Sequence, residues 1–406
     1  MAHRKRRRMS RGPLHWDEGR ARSARTSIGA LVAILFVLLF GTGSHLAGAR
    51  AEPKVNPHGY TSAAVCGSCH EDIHASWKRS LHAMSIRDPI FRSEYMEALV
   101  EYGDEARALC LSCHAPMTMA NQDYALTEEV TREGVSCDFC HTVTGVQLND
   151  RKAPYALKPG LVKRSVLKDA SSPAHEVAYS EIHSKAEFCG GCHNYTAPGG
   201  ARIMSTYQEW LDGPYSREGI QCQDCHMVVR RGNVVRANLE GTRVSTRGSF
   251  HVHDLIHDTR QLRSALEIRI IRAVRNGSSL IVDVEVENVG SGHMIPTGVP
   301  SREVVVSLEA QVNRRSFRQE RRYRKVVADA NYHVLGRDYE MLLRGARVLN
   351  DNRIAPRETR SERFTFSVPA TGRVELRAAA TYVYRPMILK REMLKIELGN
   401  SERVVY

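Results

Sequence analysis

Beyond Cys225 the sequence contains no cysteine, and it is short of large aromatics, with three Trp and nine Phe in 406 residues. It has no apolar run of the roughly 20 residues that a spanning helix needs. The longest, Ile28 to Phe40, ends after thirteen. No G-x-G-x-x-G, P-loop or G-x-S-x-G is present, which removes the usual dinucleotide, nucleoside-triphosphate and serine-hydrolase signatures. With 42% hydrophobic and 25% charged residues, the chain is not disordered, collagen-like or polytopic in a membrane. Its length allows two domains, or three small ones.

A net charge of +13, from 58 Lys+Arg against 45 Asp+Glu, suggests nucleic acid until it is located. Residues 1–51 hold ten Lys/Arg and two acids, so they carry +8 and the rest only +5. The same segment has the order of an export signal: a basic region, the apolar run Ile28 to Phe40, and the small-x-small site Ala49, Arg50, Ala51. Cleavage is expected after Ala51. If the segment is retained, it is a poor anchor with its N-terminus in the cytoplasm. Either way the bulk of the chain is expected outside the cytoplasm, periplasmic or at the cell surface.

What is present decides the chemistry. The ten cysteines form five pairs, each followed at once by histidine. They are Cys66 and Cys69 with His70, Cys110 and Cys113 with His114, Cys137 and Cys140 with His141, Cys189 and Cys192 with His193, and Cys222 and Cys225 with His226. C-x-x-C-H is the attachment pattern of c-type haem. Two thiols at this spacing reach the vinyl-derived carbons on one porphyrin edge, and the adjacent histidine falls beneath the iron as proximal ligand. By composition one chance match has an expectation of roughly 0.01, so five that use every Cys are not chance. A disulfide framework gives no reason for the histidines. Paired zinc knuckles come two at a time and leave the same residue unexplained. Five covalently attached haems c are expected. Each ferric haem with two axial histidines and two ionised propionates adds about −1, which brings the mature +5 near zero and removes the nucleic-acid argument.

All motifs lie between residues 66 and 226. Some 160 residues around five haems is too little for a conventional core, so the porphyrins themselves are expected to form much of the interior. Helical spacing at Glu71 to Leu81 and Arg92 to Tyr102, with Gly/Pro/Ser-rich connections, predicts short helices and long loops. From about residue 264 the period changes to two. Leu280 to Glu287 alternates apolar and acidic, and 363–368 and 374–384 do so more loosely. The expected architecture is a signal or anchor (1–51), a mainly α and irregular pentahaem domain (52–262) and an all-β, sandwich-like domain (263–406).

The run Cys66 to Ala83, with Trp77, Ser80 and His82 after the first motif, resembles the opening of the cytochrome c554 family, where C-x-x-C-H is followed by W-x-x-S-x-H. Phe188 to Asn194 and Gly219 to Met227 look like its internal motifs. Asn288 to Gly298 is similar to a turn in the β-domain that some members carry. The resemblance covers most of residues 60–310 and weakens beyond. It implies an extracytoplasmic electron carrier with closely packed haems. The four-haem type member lacks both a fifth haem and a β-domain, so its haem arrangement does not transfer whole. Hydroxylamine-oxidising enzymes are also in reach of the resemblance, but carry more haems. Pentahaem nitrite reductases usually place C-x-x-C-K at the catalytic haem, and this chain has none.

Distal ligands decide the function. An iron with two histidines exchanges electrons with little rearrangement, whereas one lacking its sixth ligand can bind a small molecule. Ten further histidines follow residue 51, enough for every iron. The resemblance points to His82 as a distal ligand. His183, His175, His253 (or His251, with His257 in the same cluster) and His293 are the other candidates. His293, in a Gly/Pro-rich turn leaving a strand, would fasten the β-domain to the haem domain. His74 reads as a surface residue, or as a ligand to a neighbouring haem. His58 and His333 read as surface residues. The methionines read as core filler, and Arg314 to Lys325 as a solvated rim. The function expected is electron relay between redox proteins or with a quinol-linked membrane complex, without nucleic acid, and with oligomerisation left open. The alternative is an oxidoreductase with one open iron acting on a small nitrogen or sulfur compound.

Overall fold

The computed structural model describes residues 54–148, 153–236, 248–255, 259–384 and 394–406. The expected signal segment and His257 lie outside them. From Pro53 to Tyr406 the chain forms one compact unit, helical over residues 63–142 and closed by antiparallel sheets. Among the described residues no helix is long and apolar enough to cross a membrane.

The haem-motif half is built of short pieces. Ser62 and Ser80 cap the helices Ala63–Gly67 and Leu81–Met84 with their hydroxyls. Asp88 caps the long helix Pro89–His114, whose Pro occupies the tolerated first turn. The spacing at residues 92–102 thus marks part of this longer element. It breaks at Gly103, where φ is +54°, a backbone that a residue without Cβ adopts at little cost. Between the motifs run two-stranded ribbons of two to four residues, such as Val143–Val146 with Tyr155–Leu157. Apolar contacts there form small islands; one joins Tyr60, Met117, Val135, Phe139, Val143 and Tyr155.

The second half is a β-sandwich. Its strands are β1 (Leu266–Asn276), β2 (Ser279–Asn288), β3 (Arg302–Val312), β4 (Arg315–Tyr323), β5 (Lys325–Ala328), β6 (Arg347–Asp351), β7 (Thr359–Ser367), β8 (Val374–Tyr384) and β9 (Leu394–Val405). One sheet has the order β7-β2-β1 and the other β4-β3-β8-β9, with β5 and β6 as a side ribbon. β2 alternates as its sequence predicts, with Leu280, Val282, Val284 and Val286 buried and Ile281, Asp283, Glu285 and Glu287 facing outward. Residues of both sheets, among them Val304, Val306, Leu308, Phe364, Phe366 and Leu376, share one core. In the basic stretch 314–325 a turn leads into β4, whose arginines form a strand rim, whereas Lys325 opens β5 and is buried.

The expected boundary at 262/263 falls inside the helix Thr259–Ser264. Around it the two halves pack together. Ala197, Ala201 and Ile203 meet Val327, Leu335 and Met341, and Ala98 and Ala106 meet Tyr339 and Leu343 on the helix Asp338–Arg344.

Candidate haem sites

Four of the five motifs lie on helices: the C-terminus of Pro89–His114, then Cys137–Thr142, Glu187–His193 and Cys222–His226. A helical turn puts the two thiols, three residues apart, on one side, and the histidine at the end of that turn. The first motif differs. Cys66 ends the helix Ala63–Gly67, but Cys69 lies outside any helix, in the turn that leads to Glu71–Trp77. Backbone bonds still close that turn: Cys69 N–H and His70 N–H both donate to Cys66 O, at 3.2 and 2.9 Å. The Cys69 carbonyl accepts from Arg236 N–H at 2.9 Å, and its Sγ contacts Ser68 Oγ at 3.7 Å. The spacing of Cys66 and Cys69 is thus held by a turn rather than by a continuing helix. Gly67 is required there, because a Cβ would lie 2.6 Å from the His74 ring. A Cβ on Gly191 would collide with the ring of Tyr155.

None of the ten cysteines, from Cys66 and Cys69 to Cys222 and Cys225, is in a disulfide. Thiols of different motifs lie near enough to shift one another's pKa: Cys66 with Cys137, Cys113 with Cys192 and Cys189 with Cys222. The attachment edges of motifs one and three, two and four, and four and five are therefore neighbours.

The histidines supply the sharper test. Two imidazoles on opposite faces of one metal ion, each bonded at about 2.0 Å, have ring centroids about 6.3 Å apart. His70 faces His175 at 6.2 Å, His193 faces His82 at 6.3 Å, and His141 faces His253 at 6.3 Å and His183 at 6.0 Å. At three of the five motifs, those of His70, His141 and His193, the residues present thus fit haem c with histidine on both faces of the iron.

Hydrogen bonds sort the candidates further. A ligating histidine normally donates its other ring N–H to a carbonyl, which fixes Nε2 toward the metal. Nδ1 of His70 donates to Val234 O at 2.7 Å, His114 to Ser85 O at 3.0 Å and His141 to Arg164 O at 2.6 Å. His175, His253 and His293 do the same toward Glu176, His251 and Met294 carbonyls, at 3.0, 2.7 and 3.0 Å. His183 is reversed: its Nε2 bonds Cys140 O at 2.9 Å and its Nδ1 is buried without a partner. Burial pushes His82 down to about 3, and His183, His193 and His253 down to about 4. All four are therefore neutral, the form that binds metal.

His82 shows why its surroundings have their sequence. Trp77 Nε1 donates to Val135 O at 2.9 Å, Ser80 accepts from Ala83 N, and the His82 carbonyl accepts from Val135 N at 3.1 Å. His293 lies among Glu209, His226 and Arg353, which all act on its charge. His114 has a different neighbour, the ring of Phe91 stacked at 3.8 Å. His58 is exposed, and His333 is 78% exposed. His74 packs half-buried against Trp77.

Residues 70–74 (HEDIH) also have the H-E-x-x-H spacing of zinc hydrolases, a match absent from the expectations above. Here His70 is already opposed by His175, and among the described residues no group of three or more His, Cys, Asp or Glu could hold a metal ion. Glu209, Arg353 and Lys325 also gave no sequence signal. They are isolated charges on elements far apart in the chain, which the fold buries together.

Residues 65–142 match the cytochrome c554 and c-prime family. The crystal structure of a penta-haem cytochrome c552 from Thermochromatium tepidum is 21% identical, with a TM-score of 0.68 over 85% of this chain and 99% of that one. A CARDB domain from Pyrococcus furiosus, 14% identical over 35% of this chain and 92% of its own, has a TM-score of only 0.18 and adds nothing to the argument. No curated protein matches the chain. The motifs, the facing imidazoles and these likenesses define a multihaem c-type cytochrome. Within it, residues 65–142 are the part similar to the cytochrome c554 and c-prime family.

Proposed function

We propose that the chain is an extracytoplasmic electron carrier holding five haems c, one on each motif. When bound, the haems supply reversible one-electron iron chemistry. The observation that carries the reading is the set of facing imidazoles at 6.0–6.3 Å, since irons capped on both faces suit transfer rather than substrate binding. The axial pairs are His70 with His175, His141 with His253, His193 with His82, and His226 with His293. His253 is preferred over His183 because its Nε2, not its Nδ1, is left for the metal. The neighbouring thiols group the centres, motif three beside one, and four between two and five.

The export-type N-terminus supports a periplasmic or cell-surface location, and the partners are redox proteins or a quinol-linked membrane complex. The test is haem content per chain by pyridine haemochromogen, with low-temperature EPR of the oxidised protein. Five haems and only low-spin ferric signals are expected. A content well below five ends the proposal.

A second reading, an oxidoreductase with one open iron, attaches to Cys110–His114. His114 stacks on Phe91, and among the described residues no second imidazole faces it as in the three pairs. A stoichiometric high-spin signal would favour that reading, and small ligands such as nitric oxide or cyanide would then perturb this one centre.

A further inference from the structure

The turn 288–298, which carries His293, is held from the haem half by the buried carboxylate of Glu209 and by the Thr206 hydroxyl, 2.8 Å from that of Thr297. Glu209 lies on the helix Thr206–Asp212, and its side chain is 5% exposed. Its Oε2 accepts from the Thr297 hydroxyl at 2.7 Å and from Met294 N–H at 3.3 Å. Its Oε1 accepts from Ser205 Oγ and pairs with Arg353 Nη1, each at 2.7 Å. Arg353, 4% exposed, also donates to Pro296 O at 3.1 Å and forks onto Asp351 at 2.7 and 2.8 Å. Lys325 Nζ closes the network on Ser205 Oγ at 2.9 Å and on the carbonyls of Arg202 and Ile203 at 3.2 Å. Inside the turn, Asn288 Nδ2 donates to His293 O at 2.9 Å, and the imidazole donates to the next carbonyl.

Burying such ions costs several kcal/mol each before pairing, and apolar replacements are often no less stable. What the ions add here is geometry. Two acceptances, from Met294 and Thr297, and the ion pair to Arg353, which itself holds Pro296 O, fix the turn just after the imidazole. Supporting shells of this kind hold a ligand to within a fraction of an ångström.

We propose that Glu209 is a positioning residue that clamps the 288–298 turn onto the haem half. It holds the His293 imidazole toward His226 and makes the β-sandwich a working part of that redox centre. The inference rests on the reading of His293 as an axial ligand.

The test compares Thr297→Val, Glu209→Gln and His293→Ala in the full haem-loaded chain, by haem content, low-temperature EPR and redox titration. His293→Ala is expected to convert one low-spin signal to high spin and to shift one midpoint potential. Thr297→Val and Glu209→Gln are expected to keep the wild-type haem content and to displace that same signal and potential by less, leaving the others in place. If both leave every signal where it was while His293→Ala changes one, the clamp is overturned and the ligand reading stands. If His293→Ala changes none, the ligand reading fails and the clamp with it. A uniform change at all haems also overturns the clamp, because it indicates general loosening. Should Glu209→Gln lose haem or fold poorly, Thr297→Val set against Thr206→Val decides, since Thr297→Val leaves the Glu209–Arg353 pair intact but also removes the Thr206 bond. An equal displacement in Thr206→Val overturns the clamp.

Discussion

The two halves of the molecule solve the same problem in opposite ways. The β-sandwich closes on itself: one continuous apolar cluster, with Phe364, Leu280 and Leu308 fully buried, draws on both sheets. The haem-motif half has only islands of a few side chains, and leaves Leu81, Met96, Val100 and Val229 more than half exposed. A segment that cannot bury enough apolar surface to offset its ordering entropy must borrow surface from elsewhere. On the proposed reading the source is the porphyrins, tied in through the cysteine pairs. One half is a fold that stands on its side chains, and the other is a scaffold completed by its cofactors.

That contrast can be broken most severely by withholding haem. Full-length chain made without the attachment machinery is expected to lose its helical signal and to be cut readily between residues 54 and 262. A fragment spanning about residues 263–406 should survive limited proteolysis, and survival of the haem half instead would refute the contrast. Next in size, Phe364→Ala in the sandwich core should cost about 3–5 kcal/mol, read as a lower melting transition with the haem spectrum unchanged below it.

A smaller effect lies where the halves meet. Burial, reinforced by Asp338, pushes Glu94 up to about 7 from 4.5. A carboxyl raised on folding favours the folded state below its unfolded value, and that advantage is lost as pH climbs through about 7. Glu94→Gln should therefore stabilise the protein by about 1–3 kcal/mol at pH 8 and hardly at pH 4. Equal melting shifts at both values would dismiss the idea. Smallest of all, Arg363→Ala, which removes the exposed pair with Asp283 on the sandwich surface, should leave the melting temperature essentially unchanged, because solvent and salt screen such a pair. A larger loss in thermal melts would mean that this surface is not solvated as described.

The motifs and the sandwich were legible because each rests on local spacing. C-x-x-C-H recurs five times with its spacing unchanged, and β2 alternates because one face is apolar and the other acidic. What that spacing does not tell is the backbone beneath it, since Cys69 sits in a turn where the second thiol of every other motif sits on a helix. β3 was harder to see: Glu303, Val305 and Ser307 are buried along with Val304, Val306 and Leu308, so period two is lost where both faces are covered. The long helix was legible only in part, since Gly103 interrupts its pattern. Pairing of histidines was not legible at all. His175 and His70 are separated by more than a hundred residues and by any number of loop paths. Only the fold shows that His183 bonds Cys140 O through Nε2 and leaves Nδ1 buried. Glu209, Arg353 and Lys325 could not be read for the same reason: no spacing relates a helix to strands more than a hundred residues away.

The contacts between thiols of different motifs bear on how the protein is made. Cys113 and Cys192, or Cys66 and Cys137, meet only because the chain has folded, and in an oxidising compartment neighbouring thiols exchange into disulfides. Folding ahead of haem ligation would therefore cross-link one motif to another and block both. If the chain is exported and carries its haems as proposed, biogenesis has an order: each cysteine pair would have to be kept reduced and occupied before its neighbour arrives.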